Sequence, residues 1–160
     1  LDIKTFAGFD AGNIVEIGCG YGGQAIILDK ILNIESYTFY DLWQVNILIK
    51  RFVENSNFSS TYSLKTIRED NYNGRENWDL GISNYAFSEF PYDLQKIYIN
   101  KVLQKTNKGY MTLNSGIDGK FGGFKNHSQI ELLNLFKNSK ISKEEPLTGK
   151  NNYIFTWDKS

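Results

Sequence analysis

The chain has 160 residues, 41% hydrophobic and 15% aromatic, enough for one domain with its own core. Lys+Arg and Asp+Glu each number 18, so the formal net charge is zero and no general basic excess draws the chain to nucleic acid. The single cysteine, Cys19, excludes an internal disulfide, and no apolar run reaches membrane-spanning length.

Leu1 to Gly12 reads as a lead-in whose Phe6 and Phe9 are expected to pack on the core. Ile14-Val15-Glu16-Ile17 is an apolar run of the buried-strand kind. It meets the glycine-rich stretch Gly18-Cys19-Gly20-Tyr21-Gly22-Gly23, and Ala25 to Leu32 follows as an amphipathic helix. Glycines let such a loop turn sharply and let a ligand approach the main chain, while the helix start offers free N–H groups.

Two ligand classes use this pattern. Gly18, Gly20 and Gly23 fit the G-x-G-x-x-G fingerprint of dinucleotide binding. Glu16, Gly18, Gly20 and Gly22 give E-x-G-x-G-x-G instead. Glu16 decides between them, because a carboxylate there repels a pyrophosphate and suits a ligand carrying an ammonium and a sulfonium. The bland alternative is a turn without a ligand.

Ser36 to Tyr40 is a β-rich run ending in Asp41. This acid lies about 20 residues past the loop, the spacing at which a second-strand carboxylate meets a ribose. Asp41 also suits the cap of a helix over Leu42 to Val53, whose inward face is Val45, Leu48, Ile49 and Phe52. Thr61 to Leu64 is a short third strand, and Arg68 to Asn77 a polar loop placed for adenine contacts. Trp78 to Ser83 is the fourth strand and Tyr110 to Asn114 the fifth. Between them Pro91 opens a helix to about Gln104, with Leu94, Ile97, Tyr98 and Val102 inward. A glycine-rich loop covers Ser115 to Asn126, and Ser128 to Asn138 is helical with Ile130, Leu133 and Phe136 inward. Ser139 to Glu145 and Asn152 to Trp157 close the chain as an antiparallel hairpin. Strands alternating with helices give an α/β fold, Rossmann-like and doubly wound, with a mostly parallel seven-stranded sheet and that C-terminal hairpin.

The acid-and-glycine loop, Asp41 and the closing hairpin resemble the Rossmann-like S-adenosylmethionine (SAM) methyltransferases over nearly the whole chain. Three stretches, Glu16 to Gln24, Asp79 to Glu89 and Glu145 to Asn152, resemble a bacterial sugar O-methyltransferase family associated with surface-polysaccharide gene clusters. The resemblance implies one SAM-binding domain over residues 1–160, expected to belong to a longer chain lacking its N-terminal region here. It implies SAM as cofactor, held by Glu16, Gly18, Cys19, Gly20, Gly22, Gln24, Asp41, Leu42, Ser83 and Asn84. It further implies a small-molecule or saccharide acceptor, no nucleic-acid partner and a cytoplasmic location.

The chemistry is in-line displacement at the methyl carbon, and a weakly nucleophilic sugar hydroxyl gains from a nearby base. Glu89, on the loop after the fourth strand, and His127, the only histidine, are the candidates. Glu89 also reads as a first-turn helix acid, and His127 as a residue before a helix. Tyr85 and Phe87 are placed to stack on a sugar ring. No metal is expected, because Asn84 and Asn114 stand where a metal-assisted reaction wants carboxylates. Alternatives are an N-methyltransferase on another small molecule or a nucleic-acid base, since Asn84-Tyr85-Ala86-Phe87 keeps the ends of an Asn-Pro-Pro-Tyr/Phe motif, and a non-catalytic SAM-binding module.

Overall fold

The computed structural model describes residues 2–8, 10–67, 76–114 and 118–159. Most of the predicted adenine loop, the start of the glycine-rich loop and Phe9 lie outside them. The elements run α1 Asp2–Ala7, β1 Asp10–Ile17, α2 Gly23–Ile31, β2 Asn33–Tyr40, α3 Trp43–Glu54 and β3 Thr61–Lys65. There follow β4 Trp78–Asn84, α4 Ala86–Glu89, α5 Tyr92–Lys101, a 3₁₀ turn Leu103–Lys105 and β5 Thr106–Leu113. The short strands β6 Lys120–Phe121 and β7 Phe124–Lys125, then α6 Gln129–Leu135, β8 Lys140–Lys143 and β9 Tyr153–Asp158, complete the chain.

Seven strands form one sheet in the order β3-β2-β1-β4-β5-β9-β8. The first five run parallel, and β9 inserts antiparallel between β5 and β8. β1 sits at the centre, with Ile14, Val15 and Glu16 opposite Tyr37, Thr38 and Phe39 on one side and Leu80, Gly81 and Ile82 on the other. Burial on both faces explains its near-continuous apolar run. Ile14 joins a core with Tyr37, Phe39, Ile49 and Ile82, while Val15 and Ile17 join another with Tyr98, Phe136, Phe155 and Trp157. By the strand's alternation Glu16 shares the face of Ile14.

The helical faces differ from the sequence reading. In α6 the buried residues are Leu132 and the following Phe136, whereas Ile130 is 71% exposed. In α3 they are Asn46, Ile49 and Val53, with Leu48 and Phe52 outward, and in α5 Ile97 is outward while Gln95 and Ile99 are buried. Short helices carry several apolar residues, and the sheet rather than the spacing selects the stripe that is covered. The glycine-rich loop contains a small hairpin, β6 with β7, turning at Gly122 and Gly123 with φ of 55° and 87°. Among the described residues no helix is long and apolar enough to cross a membrane.

Candidate functional site

The strand order reverses between β1 and β4, the place where open α/β sheets hold ligands beyond their carboxyl ends. The glycine loop leaves β1 at this point. Gly18, Gly20 and Gly22 have φ of 73°, 56° and 87°, conformations that side-chain-bearing residues seldom adopt. Their surroundings separate their tasks. A Cβ on Gly18 would lie 2.0 Å from that of Ala86, so this glycine lets the loop pass against α4. A Cβ on Gly22 would press on Ile49 and Phe39 in the core. One on Gly20 would meet nothing within 4 Å.

Asp41 ties this loop to the end of β2. Its Oδ2 accepts from the Cys19 main-chain N–H at 2.7 Å and its Oδ1 from that of Leu42 at 2.8 Å. Gly18 N–H donates to the Tyr40 carbonyl at 2.9 Å. Each carboxylate oxygen has a second lone pair for a ligand hydroxyl. Asp41, Gly18, Gly20 and Leu42 line a cleft of about 690 Å³. Its opposite wall carries Ile67, Ala86, Phe90, Leu94 and Tyr98, with the Phe90 and Tyr98 rings stacked at 5.2 Å and 19°. Sequence reasoning assigned Leu94 and Tyr98 to a buried helix face and passed over Phe90. The spacing of four between them was the available signal.

The remaining predicted cofactor residues lie behind the cleft surface. Cys19 acts through its N–H. Its thiol is buried against the Glu16 carbonyl at 3.1 Å, and burial pushes its pKa up. Glu16 is 3% exposed and does not line the cleft, and its Oε2 accepts from the Tyr37 hydroxyl at 2.7 Å. Gln24 Oε1 accepts from Asn84 Nδ2, Asn84 Oδ1 accepts from Thr112 Oγ1 at 3.0 Å, and Gln24 Nε2 is buried without a partner. Ser83 is fully buried, donating to the Ile17 carbonyl at 2.9 Å and accepting from Phe87 N–H at 3.2 Å.

Neither predicted base reaches the cleft. Glu89 is exposed at the end of α4. His127 is 4% exposed and stacks on Tyr92 at 4.1 Å and 11°. Gln95 Oε1 accepts from the His127 main-chain N–H at 2.7 Å and lies 2.9 Å from Nδ1, which places the ring hydrogen on Nδ1. Burial lowers the histidine's pKa. His127 lines a separate hollow of about 310 Å³ between α5 and α6.

Phe87 is also buried, so the structure does not offer its ring for stacking. Tyr85 departs from β4 with φ of 65°, a position that costs a non-glycine residue energy and persists only where the surroundings fix it. Its hydroxyl donates to Glu144 and lies 3.0 Å from Thr148 Oγ1. Glu144 also accepts from Thr148 N–H at 2.8 Å and Asn152 Nδ2 at 3.0 Å. These bonds, that of Tyr85 first, hold the carboxyl well below the usual range.

No protein-family model matches the chain, and no curated protein matches it. Solved structures do. The methyltransferase domain of bacterial CtHen1 aligns with a TM-score of 0.67 at 11% identity, covering 98% of this chain and 93% of that one. Magnesium protoporphyrin IX methyltransferase from Synechocystis, solved with bound SAM, aligns at 0.64 and 11%, covering 96% and 73%. An O-methyltransferase family protein from Burkholderia thailandensis aligns at 0.68 and 9% identity, and this chain spans 51% of it. Identities this low make the likeness one of architecture: the chain has the Rossmann-like fold on which these methyltransferases are built.

Proposed function

We propose that the chain binds SAM in the cleft beneath the glycine loop and transfers its methyl group to a hydroxyl of a small acceptor, a sugar in surface-polysaccharide synthesis. One observation carries the SAM assignment: the Asp41 carboxylate is fastened to the glycine loop at the cleft edge, where the strand order reverses. The residues fit the cofactor. Asp41 keeps lone pairs for two ribose hydroxyls, Gly20 leaves its cleft side open, and Phe90, Leu94 and Tyr98 give a base an apolar wall. The SAM bound in the Synechocystis structure supports the same reading.

When bound, SAM supplies an electrophilic methyl group on a charged sulfur. The chain's work is then to hold the two reactants in line and keep water away, since the sulfonium loses its charge on the way to the transition state. The acceptor class rests on the sequence resemblance, and the tertiary structure supports it in one respect. Two of the three resembling stretches meet, as Tyr85 reaches Thr148 and Glu144. A net charge of zero favours a small acceptor over nucleic acid.

Titration calorimetry with SAM, S-adenosylhomocysteine and NAD tests the cofactor. Binding of NAD in preference to SAM would overturn the assignment in favour of a dinucleotide enzyme. Transfer of labelled methyl from SAM to sugar acceptors tests the reaction. SAM binding without transfer to any of them would make the sugar assignment wrong and favour a binding module.

A further inference from the structure

Glu16 is an acid buried without a cation. Its carboxyl is 3% exposed, and its one hydrogen bond in the structure comes from the neutral hydroxyl of Tyr37. The titratable groups facing it are Tyr37 and Asp41 from β2 and Cys19 from its own loop. None of them carries a positive charge. From α2 comes the uncharged Gln24, with a buried and unpartnered Nε2, and from β4 the apolar Ile82 lies opposite in the sheet. Removing a carboxylate from water without a partner is costly, and the group avoids that cost by keeping its proton. Burial raises the Glu16 pKa from 4.5 to about 8, the Tyr37 hydrogen bond works in the other direction, and the charge of Asp41 adds to the rise. Two residues further on, Gly18 forms part of the cleft wall.

We propose that Glu16 carries a proton while the glycine loop is empty and releases it to solvent when a cationic ligand settles on Gly18 and Gly20. The inference rests on the SAM reading, because the ammonium and sulfonium of that ligand provide the missing positive charge. The exchange balances: a neutral carboxyl and a cationic ligand become a carboxylate beside a cation, with one proton given to the buffer. Ligand charge is thereby selected at the loop, and affinity is coupled to pH.

The test is calorimetric titration of the whole chain with SAM at neutral pH, repeated in buffers of different ionisation enthalpy to count protons. Adenosine, which shares the nucleoside but carries no charge, is the second probe. Wild-type protein should release close to one proton per SAM and close to none per adenosine. Its SAM affinity should rise about tenfold per pH unit on the acid side of the Glu16 pKa. Glu16→Gln, which can still accept from Tyr37, should abolish both effects. Should that variant fail to fold, the wild-type comparison of SAM with adenosine still decides. SAM binding without proton release, or equal release with adenosine, would overturn the inference and leave the SAM reading standing. Absence of SAM binding would remove both.

Discussion

The main-chain N–H of Cys19 donates to Oδ2 of Asp41 at 2.7 Å, across 22 residues of sequence. One carboxylate therefore shapes the glycine loop and presents its remaining lone pairs to the cleft. Asp41→Ala should weaken SAM binding by roughly 1.5–3 kcal/mol, the range for a charge-assisted hydrogen bond. Calorimetry measures it, and unchanged affinity would remove Asp41 from the ribose role.

Gly18 and Gly20 share a backbone conformation but not a neighbourhood, so the same substitution should act differently at each. Gly20→Ala should cost roughly 1–2 kcal/mol of backbone strain and reduce ligand affinity, because its side chain enters open cleft space. Gly18→Ala must in addition displace Ala86 and should lose more stability. Pairing it with Ala86→Gly should restore part of that loss in denaturant unfolding. Additive effects in the pair would show that the two positions do not touch.

Glu144 should make stability sensitive to acid. Its folded pKa lies below the unfolded carboxylate value, so its contribution is complete above about pH 4.5 and fades as the pH falls through the folded pKa. Tyr85→Phe removes the leading cause of that shift. Both Tyr85→Phe and Glu144→Gln should melt below wild type at neutral pH, with a gap that narrows on acidification. A gap constant with pH would mean that the Tyr85–Glu144 bond does not persist in solution.

His127 should behave as a packed residue. His127→Ala forfeits the stack on Tyr92, which for an aromatic pair is worth about 0.5–1.5 kcal/mol beyond burial, and should leave SAM affinity unchanged. Its lowered pKa means that the native state prefers the neutral ring. The stability it gives is full above the unfolded value of 6.5 and declines as the pH drops through the folded pKa. A folded His127→Ala variant with lost methyl transfer would restore the histidine to the reaction.

Much of the fold is written locally. The run Ile14 to Ile17, the glycines after it and Asp41 at the end of the next strand each state their conformation through neighbouring residues, so the sequence alone determined a strand, a tight loop and an acid facing it. The closing hairpin was equally legible, since β8 and β9 are separated by a short turn. None of these depends on which distant side chain lies nearby.

Only the tertiary structure decided where the long side chains end. His127 is withdrawn from the cleft by Gln95, 32 residues earlier, and Asn84 is taken up by Gln24 and Thr112. Glu16 stands at the motif position that spacing assigns it, yet the alternation of a doubly covered strand turns its carboxyl into the core face shared with Ile14. Phe90, Leu94 and Tyr98 became a cleft wall rather than plain core because α5 crosses beside Asp41. Spacing along the chain fixes which way a residue faces on its own element, whereas burial and charge depend on what another element brings against it.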